Sequence, residues 1–124
     1  MKENILKDKT FIFALEVVKL SQFLILEKKE FILSKQFLRS GTAIWALVRE
    51  AEYAQSRPDF ISKLNIALKE ANETEYWIEL LYAGNYLQKE EYCTFLSSNK
   101  ELLRLLISSI KTTKENQLIV NCSL

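Results

Sequence analysis

Residues Arg49–Trp77 read REAEYAQSRPDFISKLNIALKEANETEYW, and they contain the single proline of the chain, Pro58. Proline lacks a backbone N–H and disfavours helical geometry at the residue before it, so a helix that precedes Pro58 must end there. Ser56 and Asp59 have the spacing of a capping box, with Asp in place of the usual Glu or Gln. Apolar residues recur at helical spacing on both sides of this break. The stretch therefore predicts two helices joined by a short capped turn.

Outward from this turn, the same periodicity predicts four helices, at about residues 8–27, 33–55, 58–83 and 89–113. Asp8 has the position of an N-cap for the first helix, and Gly84, beside Asn85, that of a left-handed cap for the third. Residues 117–124 form a tail that we expect to be frayed or docked. The apolar stripe assigned to the first helix comprises Phe11, Ala14 or Leu15, Val18, Phe23, Leu24 and Leu26.

The connections between these helices are only a few residues long, so neighbouring helices must run antiparallel. A chain of 124 residues is also of the common size for one domain. We therefore predict an all-α protein, a single antiparallel up-down-up-down four-helix bundle over residues 1–124. Gly41 lies inside the second helix, where glycine costs roughly 1 kcal/mol relative to alanine, so we expect a neighbouring helix to approach closely there.

The formal net charge is +1, which provides no strong overall attraction to nucleic acid or to an anionic membrane. The charge is uneven, at +3 over residues 1–40, −4 over 41–92 and +2 over 93–124. This pattern suits head-to-tail self-association, or simply solvated surfaces. No apolar run is long enough to span a bilayer, and Cys93 and Cys122 have no partner pattern, which is typical of reduced thiols. We therefore expect a cytoplasmic protein that makes no membrane contact.

The six carboxylates of Arg49–Trp77 raise the question of a catalytic or metal site. The chain has no histidine, which excludes the di-iron pattern of helix bundles, most zinc sites and histidine-based nucleophile activation. A magnesium site remains conceivable from Glu70, Glu73 and Glu75 with Glu50 or Glu52. Several of these fall off the apolar stripes, and no Gly-rich phosphate loop or nucleophile elbow is present. We expect no catalytic activity and no cofactor.

Some polar residues do lie near the apolar stripes, namely Arg49 and Glu50 on the second helix and Asn65, Asn72 and Thr74 on the third. A buried polar group without a partner costs roughly 1–3 kcal/mol. We predict that Arg49 or Glu50 bonds to Asn72, Glu73 or Thr74. Such a bond would set the register of the two helices, or these residues would line an interface between subunits.

Aromatic and basic residues supply two further candidate sets. Tyr53, Tyr76 and Trp77 are either packing residues or contacts of a protein interface, where Tyr and Trp are enriched. A lone lysine or arginine is most often a solvated residue, but basic side chains are the candidates if nucleic acid binds. That basic set consists of Lys28, Lys29, Lys35, Lys100, Arg104 and Lys111.

The stretch from Phe37 to Leu87 resembles the signature region of a bacterial four-helix bundle family, the 23S rRNA-intervening sequence proteins, also called S23 ribosomal protein-like. Some members are encoded inside insertions in large-subunit ribosomal RNA genes. The sequence departs from the family pattern at Trp45–Val48, where relatives more often have a small residue and an Asn. The matching pieces are Arg39-Ser40-Gly41-Thr42, Arg49-Glu50-Ala51, Phe60, the run from Ala67 to Thr74, and Trp77.

The resemblance implies an antiparallel four-helix bundle that assembles as a homopentamer around a central channel. The family is similar to the accessory protein of diversity-generating retroelements, which binds a reverse transcriptase and nucleic acid through a basic surface. No catalytic residues are known for it. We therefore expect a non-enzymatic scaffold or adaptor that contacts RNA, DNA or such a protein partner. The alternative is a pure protein–protein interaction module. In either case the charge distribution predicts a contact between the second or third helix of one subunit and the first or fourth helix of the next.

Overall fold

The computed structural model describes the backbone of residues 2–123 and the side chains of residues 5–118. This part of the chain forms four helices and no strand: α1 (Lys2–Leu26), α2 (Leu33–Glu52), α3 (Arg57–Ala83) and α4 (Lys89–Ser123). The turns between them hold four to six residues, so consecutive helices run antiparallel. The predicted all-α, up-down-up-down four-helix bundle is confirmed.

Each helix packs side by side with two others. α1 packs against α2 and α4, α3 packs against the same two helices, and α1 therefore lies diagonally across the bundle from α3. Each helix contributes fully buried side chains to one core, for example Val17, Ile44, Ile78 and Leu106. The outer faces of α1 and α3 consequently point in opposite directions.

The first helix begins earlier than its sequence predicts. α1 starts at Lys2, so Asp8 lies in its second turn and is not an N-cap. The buried residues Leu6, Phe13 and Val17 continue one helical period across Asp8, and this packing extends the helix beyond the predicted start.

The predicted break between the second and third helices is present. α2 ends at Glu52, three residues before the predicted end, and α3 begins at Arg57 with Pro58 in its first turn. The Ser56 hydroxyl accepts a hydrogen bond from the Asp59 N–H at 3.2 Å, and the Asp59 carboxylate accepts one from the Gln55 N–H at 3.2 Å. The Ser56–Asp59 pair therefore caps α3, and its reciprocal bond reaches one residue further back than in a standard capping box.

The third helix ends at the predicted place, but a different residue adopts the left-handed conformation that ends it. Gly84 has φ −82°, and the left-handed residue is Asn85, with φ 67°. The Asn85 and Tyr86 N–H groups donate to the carbonyl oxygens of Tyr82 and Leu81, at 3.0 and 2.8 Å. This is a Schellman motif with Asn in the position that glycine usually occupies, so the assignment of Gly84 to the left-handed cap is wrong.

The fourth helix continues beyond its predicted end. Residues 117–123, predicted as a frayed or docked tail, extend α4 to Ser123, and residue 124 lies outside the described range. No glycine or proline occurs between Lys89 and the end of the chain, so the sequence contains no helix terminator there. None of the helices in the described range is long and apolar enough to cross a membrane. Cys93 is a free, exposed thiol, and the Cys122 side chain is not described.

Two local features join α1 to α2. A Cβ atom added at Gly41 would lie 2.8 and 2.9 Å from the two methyl groups of Val17, so the close approach predicted at this glycine is confirmed. In the turn, the buried Glu30 carboxylate accepts hydrogen bonds from the N–H groups of Ile32, Leu33 and Ser34 at 2.7–3.2 Å. Burial alone would raise the pKa of Glu30, but the bonds from Ser34, Leu33 and Ile32 outweigh it and lower that pKa below its ordinary value.

Candidate interaction surfaces

Side chains of α2 and α3 meet in a set of polar contacts that we call the polar junction, made of Arg39, Ser40, Glu70, Glu73 and Thr74. The Arg39 guanidinium pairs with the Glu70 carboxylate at 2.9 Å and also with that of Glu73. Beneath it, the fully buried hydroxyls of Ser40 and Thr74 lie 2.9 Å apart and are hydrogen-bonded. The junction fixes how far α3 is displaced along α2.

The partners of the α3 residues differ from those that the sequence suggested. Glu73 and Thr74 do bond to α2, but to Arg39 and Ser40, and Glu50 bonds to Lys63 at 3.1 Å. Since residue 50 lies beside residue 63, and residue 40 beside 74, Arg49 is level with about residue 64. Asn72 lies eight residues further along α3, about 12 Å at 1.5 Å per residue. The predicted pairing of Arg49 or Glu50 with Asn72, Glu73 or Thr74 is therefore wrong.

Asn72 itself donates to the Leu68 carbonyl oxygen of its own helix at 3.2 Å. Trp77 adds a further contact to the polar junction, because its indole Nε1 donates to Glu73 Oε2 at 3.0 Å. This bond lowers the pKa of Glu73, burial opposes the effect, and the guanidinium of Arg39 lowers the pKa further. Glu73 is thus held as a carboxylate at neutral pH, which favours a structural over a proton-transfer role.

The five glutamates of the conceivable magnesium site are all engaged by cations. Glu50 pairs with Lys63, Glu52 with Lys7, and Glu75 with Lys100, each at 3.0–3.1 Å, while Glu70 and Glu73 share Arg39. Within the described residues no group of three His, Cys, Asp or Glu side chains could hold a metal ion. These five carboxylates are therefore spread among separate ion pairs along the bundle.

The three candidate interface aromatics differ in accessibility. Tyr53 is 76 % exposed at the end of α2 and Tyr76 is 58 % exposed on α3, whereas Trp77 is half-buried beside Tyr76, with ring centroids 5.0 Å apart. Two of the three thus present large surfaces to solvent. Their part in a protein interface stays a prediction.

Trp45, where the sequence departs from the family pattern, is half-buried between α1 and α2. Its ring contacts Phe11 edge-on at 5.4 Å between centroids, and the Arg49 guanidinium lies over it at 5.5 Å. Arg49 therefore faces α1 rather than α3. The bulky indole is accommodated at the surface by these two neighbours.

The six basic residues predicted for nucleic-acid contact do not form one patch. Lys28 and Lys29 lie in the α1–α2 turn and Lys35 in the first turn of α2, at one end of the bundle. α4 begins at Lys89, at the same end of the bundle as this turn. Lys111 lies 22 residues further along α4, about 33 Å away from that end at 1.5 Å per residue. Lys100 is paired with Glu75, and Arg104 lies between Lys100 and Lys111 on α4. The six residues thus fall into two groups, three lysines at the α1–α2 turn and three residues along α4.

An exposed apolar surface lies on α1 and was missed by the sequence-based prediction. Phe11, Leu15, Phe23 and Leu26, assigned to the core stripe, are 43–65 % exposed, while Phe13, Val17 and Leu20 are buried in their place. The signal was present, because apolar residues occur on more than one side of this helix and one core can bury only one side. Phe11 packs against Trp45, and we call the other exposed residues the α1 outer stripe, which consists of Ile5, Ile12, Leu15, Phe23 and Leu26.

A cleft of about 690 Å³ opens at the end of the bundle that holds the α2–α3 turn. Leu6, Phe60 and Leu64 contribute apolar walls, and Lys7 and Arg57 lie among its polar lining. Lys7 is already paired with Glu52. These groups belong to different helix ends and form no constellation of nucleophile, base and orienting group of the kind catalysis requires.

Comparison with known proteins places these surfaces on a recognised scaffold. Residues 2–108 match the model of a family described as 23S rRNA-intervening sequence protein. A crystal structure from Bacteroides thetaiotaomicron VPI-5482, described as a protein of unknown function from the S23 ribosomal protein family, is 58 % identical. The match covers 90 % of this chain and 99 % of that one, with a TM-score of 0.88. None of the curated proteins matches the sequence.

Proposed function

The chain belongs to the 23S rRNA-intervening sequence protein family, and from that premise we propose that it is a non-enzymatic, cytoplasmic scaffold that assembles as a homo-oligomer, with five copies as the expected number. The observation that carries the proposal is the α1 outer stripe. Large exposed apolar patches on a soluble protein mark surfaces that bind a partner. The paired carboxylates of α2 and α3 support the non-enzymatic part, because each is already occupied by a lysine or arginine.

Native mass spectrometry and multi-angle light scattering of the full chain at micromolar concentration test the assembly. We expect one discrete species of about five times the 14.5 kDa chain mass. A melting temperature that rises with protein concentration would support assembly further, since association stabilises the folded subunits by mass action. A monomer across the micromolar range would overturn the proposal.

Contact with RNA or DNA is a second candidate, and Lys28, Lys29 and Lys35 favour it. Lys28 lies over the Phe23 ring at 5.9 Å, Lys29 donates to the Leu26 carbonyl oxygen, and none of the three forms a salt bridge with a described residue. In a ring whose axis follows the helices, these lysines of all copies lie at one end. The weak contacts of several copies then bind one nucleic acid together, which raises the affinity of the assembly without additional contacts in any one copy.

A gel-shift titration with single-stranded and duplex RNA and DNA separates this candidate from a pure protein-interaction module. Phosphate contacts predict binding that falls steeply between 50 and 200 mM salt. The triple change Lys28→Gln, Lys29→Gln and Lys35→Gln should abolish it. The matched control Arg104→Gln, Lys111→Gln and Lys114→Gln removes the same charge from α4 and should retain it. Absence of any shift at 50 mM salt would leave the protein-interaction module.

A further inference from the structure

The α1 outer stripe has a counterpart on the opposite side of the bundle. On α3, Tyr76, Leu80 and Ile66 are 44–58 % exposed, and they lie among polar residues of the face that is turned away from the core. Because α1 and α3 are diagonal, these two faces point in opposite directions. One copy could therefore use both faces at once, each with a different neighbour.

The spacing of residues on the two faces matches. Ile5, Asp8, Leu15 and Lys19 follow one another on α1 at intervals of 3, 7 and 4 residues; Ile66, Lys69, Tyr76 and Glu79 follow on α3 at intervals of 3, 7 and 3. Aligned in the same direction, the two series place apolar beside apolar and opposite charges beside each other. Asp8 then meets Lys69, and Lys19 meets Glu79.

The charges of these pairs are poorly satisfied within one copy. Asp8, Lys69 and Glu79 form no salt bridge with any residue that the structure describes, and Glu79 accepts only the neutral Tyr92 hydroxyl, at 2.9 Å. Lys19 is 3.7 Å from Glu16, with both side chains more than half exposed. A second chain can therefore pair with these groups without breaking a buried contact.

The axial levels of α1 and α3 within one copy bound the shift that the match requires. The contacts Lys7–Glu52 and Glu50–Lys63 place residue 7 of α1 level with about residue 61 of α3. The route through α4, by Lys9–Glu101 and Asn99–Ala71, places residue 9 level with about residue 69. These two routes give offsets of about 54 and 60 residues. The complementary series needs 60 or 61, so the axial shift between copies is at most about 10 Å, at 1.5 Å per residue.

Resting on the proposed homo-oligomer, we propose that α1 of one copy packs parallel to α3 of the next, with Asp8 beside Lys69, Leu15 beside Tyr76, and Lys19 beside Glu79 of that next copy. The contact joins two different faces, so it is heterologous, and each copy carries one of each. Copies joined in this way form a ring when the rotation from one copy to the next closes and no axial shift accumulates, and an open array otherwise. This contact joins the first helix of one subunit to the third helix of the next, which is one of the pairings that the charge distribution of the sequence predicts.

Two single substitutions test the contact. Leu15→Glu disables the α1 face and Tyr76→Glu the α3 face; each variant alone should lose the oligomer and remain helical by circular dichroism. Mixed in equal amounts, they should form a 1:1 heterodimer, because each supplies the intact face that the other lacks. Ile107→Glu, on an exposed α4 position, is the matched control and should leave the assembly unchanged.

The outcomes separate this contact from the homo-oligomer itself. If the unmodified protein is oligomeric and Leu15→Glu is too, the assembly stands and the proposed surface is wrong. If Tyr76→Glu alone remains a dimer, the α1 faces pair with each other about a two-fold axis, which also overturns it. A monomeric unmodified protein removes both proposals.

Charge reversal tests the register. Lys19→Glu and Glu79→Lys should each raise the subunit dissociation constant by about fivefold at low salt, as expected for an exposed ion pair. The double variant should restore association close to that of the unmodified protein, since the pair is re-formed with reversed sign. Failure of the double variant to recover would overturn the register.

Discussion

The polar junction between α2 and α3 and the two faces of α1 rely on different kinds of interaction. Across the junction, Arg39, Ser40 and their partners bond to one another, so the contact is directional and fixes an axial register. α1 meets α2 mainly through shape, with Val17 against Gly41, and keeps its outer stripe exposed. The junction sets the register of two helices within the chain, whereas α1 leaves an apolar surface exposed.

This contrast predicts that shape changes at the α1–α2 contact cost more than polar changes at the junction. Gly41→Val should have the largest effect, because even a Cβ atom there would lie 2.8 Å from a Val17 methyl group in the core. Valine is stiff at χ1, so neither side chain can rotate away. We expect a loss of about 3 kcal/mol in the free energy of unfolding, measured by urea denaturation at one fixed protein concentration.

The double variant Gly41→Val with Val17→Ala is the control for this prediction. Removing the two opposing methyl groups should recover part of the lost stability, because the added volume replaces the deleted volume. Equal stability of the single and double variants would mean that the helices are not held by the Val17–Gly41 contact.

The next largest effect on the free energy of unfolding is expected in the α1–α2 turn. Glu30→Gln should cost about 2 kcal/mol at neutral pH, because the carboxylate that accepts three N–H bonds is replaced by a neutral amide. The folded-state pKa of Glu30 is lower than the unfolded one, so its contribution is present above pH 4.5 and is lost as the pH falls through the folded pKa.

Urea denaturation from pH 7 to pH 2.5 measures this dependence. The difference in stability between the unmodified protein and Glu30→Gln should shrink as the pH falls, because protonation neutralises the carboxylate in the unmodified protein as well. A difference that stays constant over this range would contradict the capping role.

The sequence-based predictions were correct where local chemistry determines the structure and wrong where packing between helices determines it. The hairpin around Pro58 was predictable because local chemistry determines it: proline ends one helix and Ser56 caps the next. The α1 faces were not, since apolar residues occur on more than one side of α1 and define no single periodic stripe from which to choose a core side. The partners of Arg39 depend on which residues of α3 lie level with it, and sequence spacing within one helix does not contain that distance.

Within the junction itself, the buried hydroxyl pair should contribute a smaller amount. Thr74→Val keeps the shape of the side chain and leaves the Ser40 hydroxyl without its α3 partner, so we expect a loss of about 1 kcal/mol. Ser40→Ala combined with Thr74→Val should cost less than the sum of the two single changes, because no hydroxyl is then left unpaired. Additive costs in this double-mutant cycle would mean that the two hydroxyls do not interact.

The smallest effect comes from two exposed arginines of α2 that face different neighbours, Arg39 toward α3 and Arg49 toward α1. Arg39→Met and Arg49→Met should each cost about 0.5 kcal/mol, the first through ion pairs and the second through the contact with the Trp45 ring. Thermal unfolding with and without 1 M salt distinguishes them, since salt screens the Arg39 pairs more. In a cycle with Glu73→Gln, Arg39→Met should couple and Arg49→Met should be additive. Coupling of Arg49 to Glu73 would restore the pairing that the sequence alone suggested and would remove the distinction between the two sides of α2.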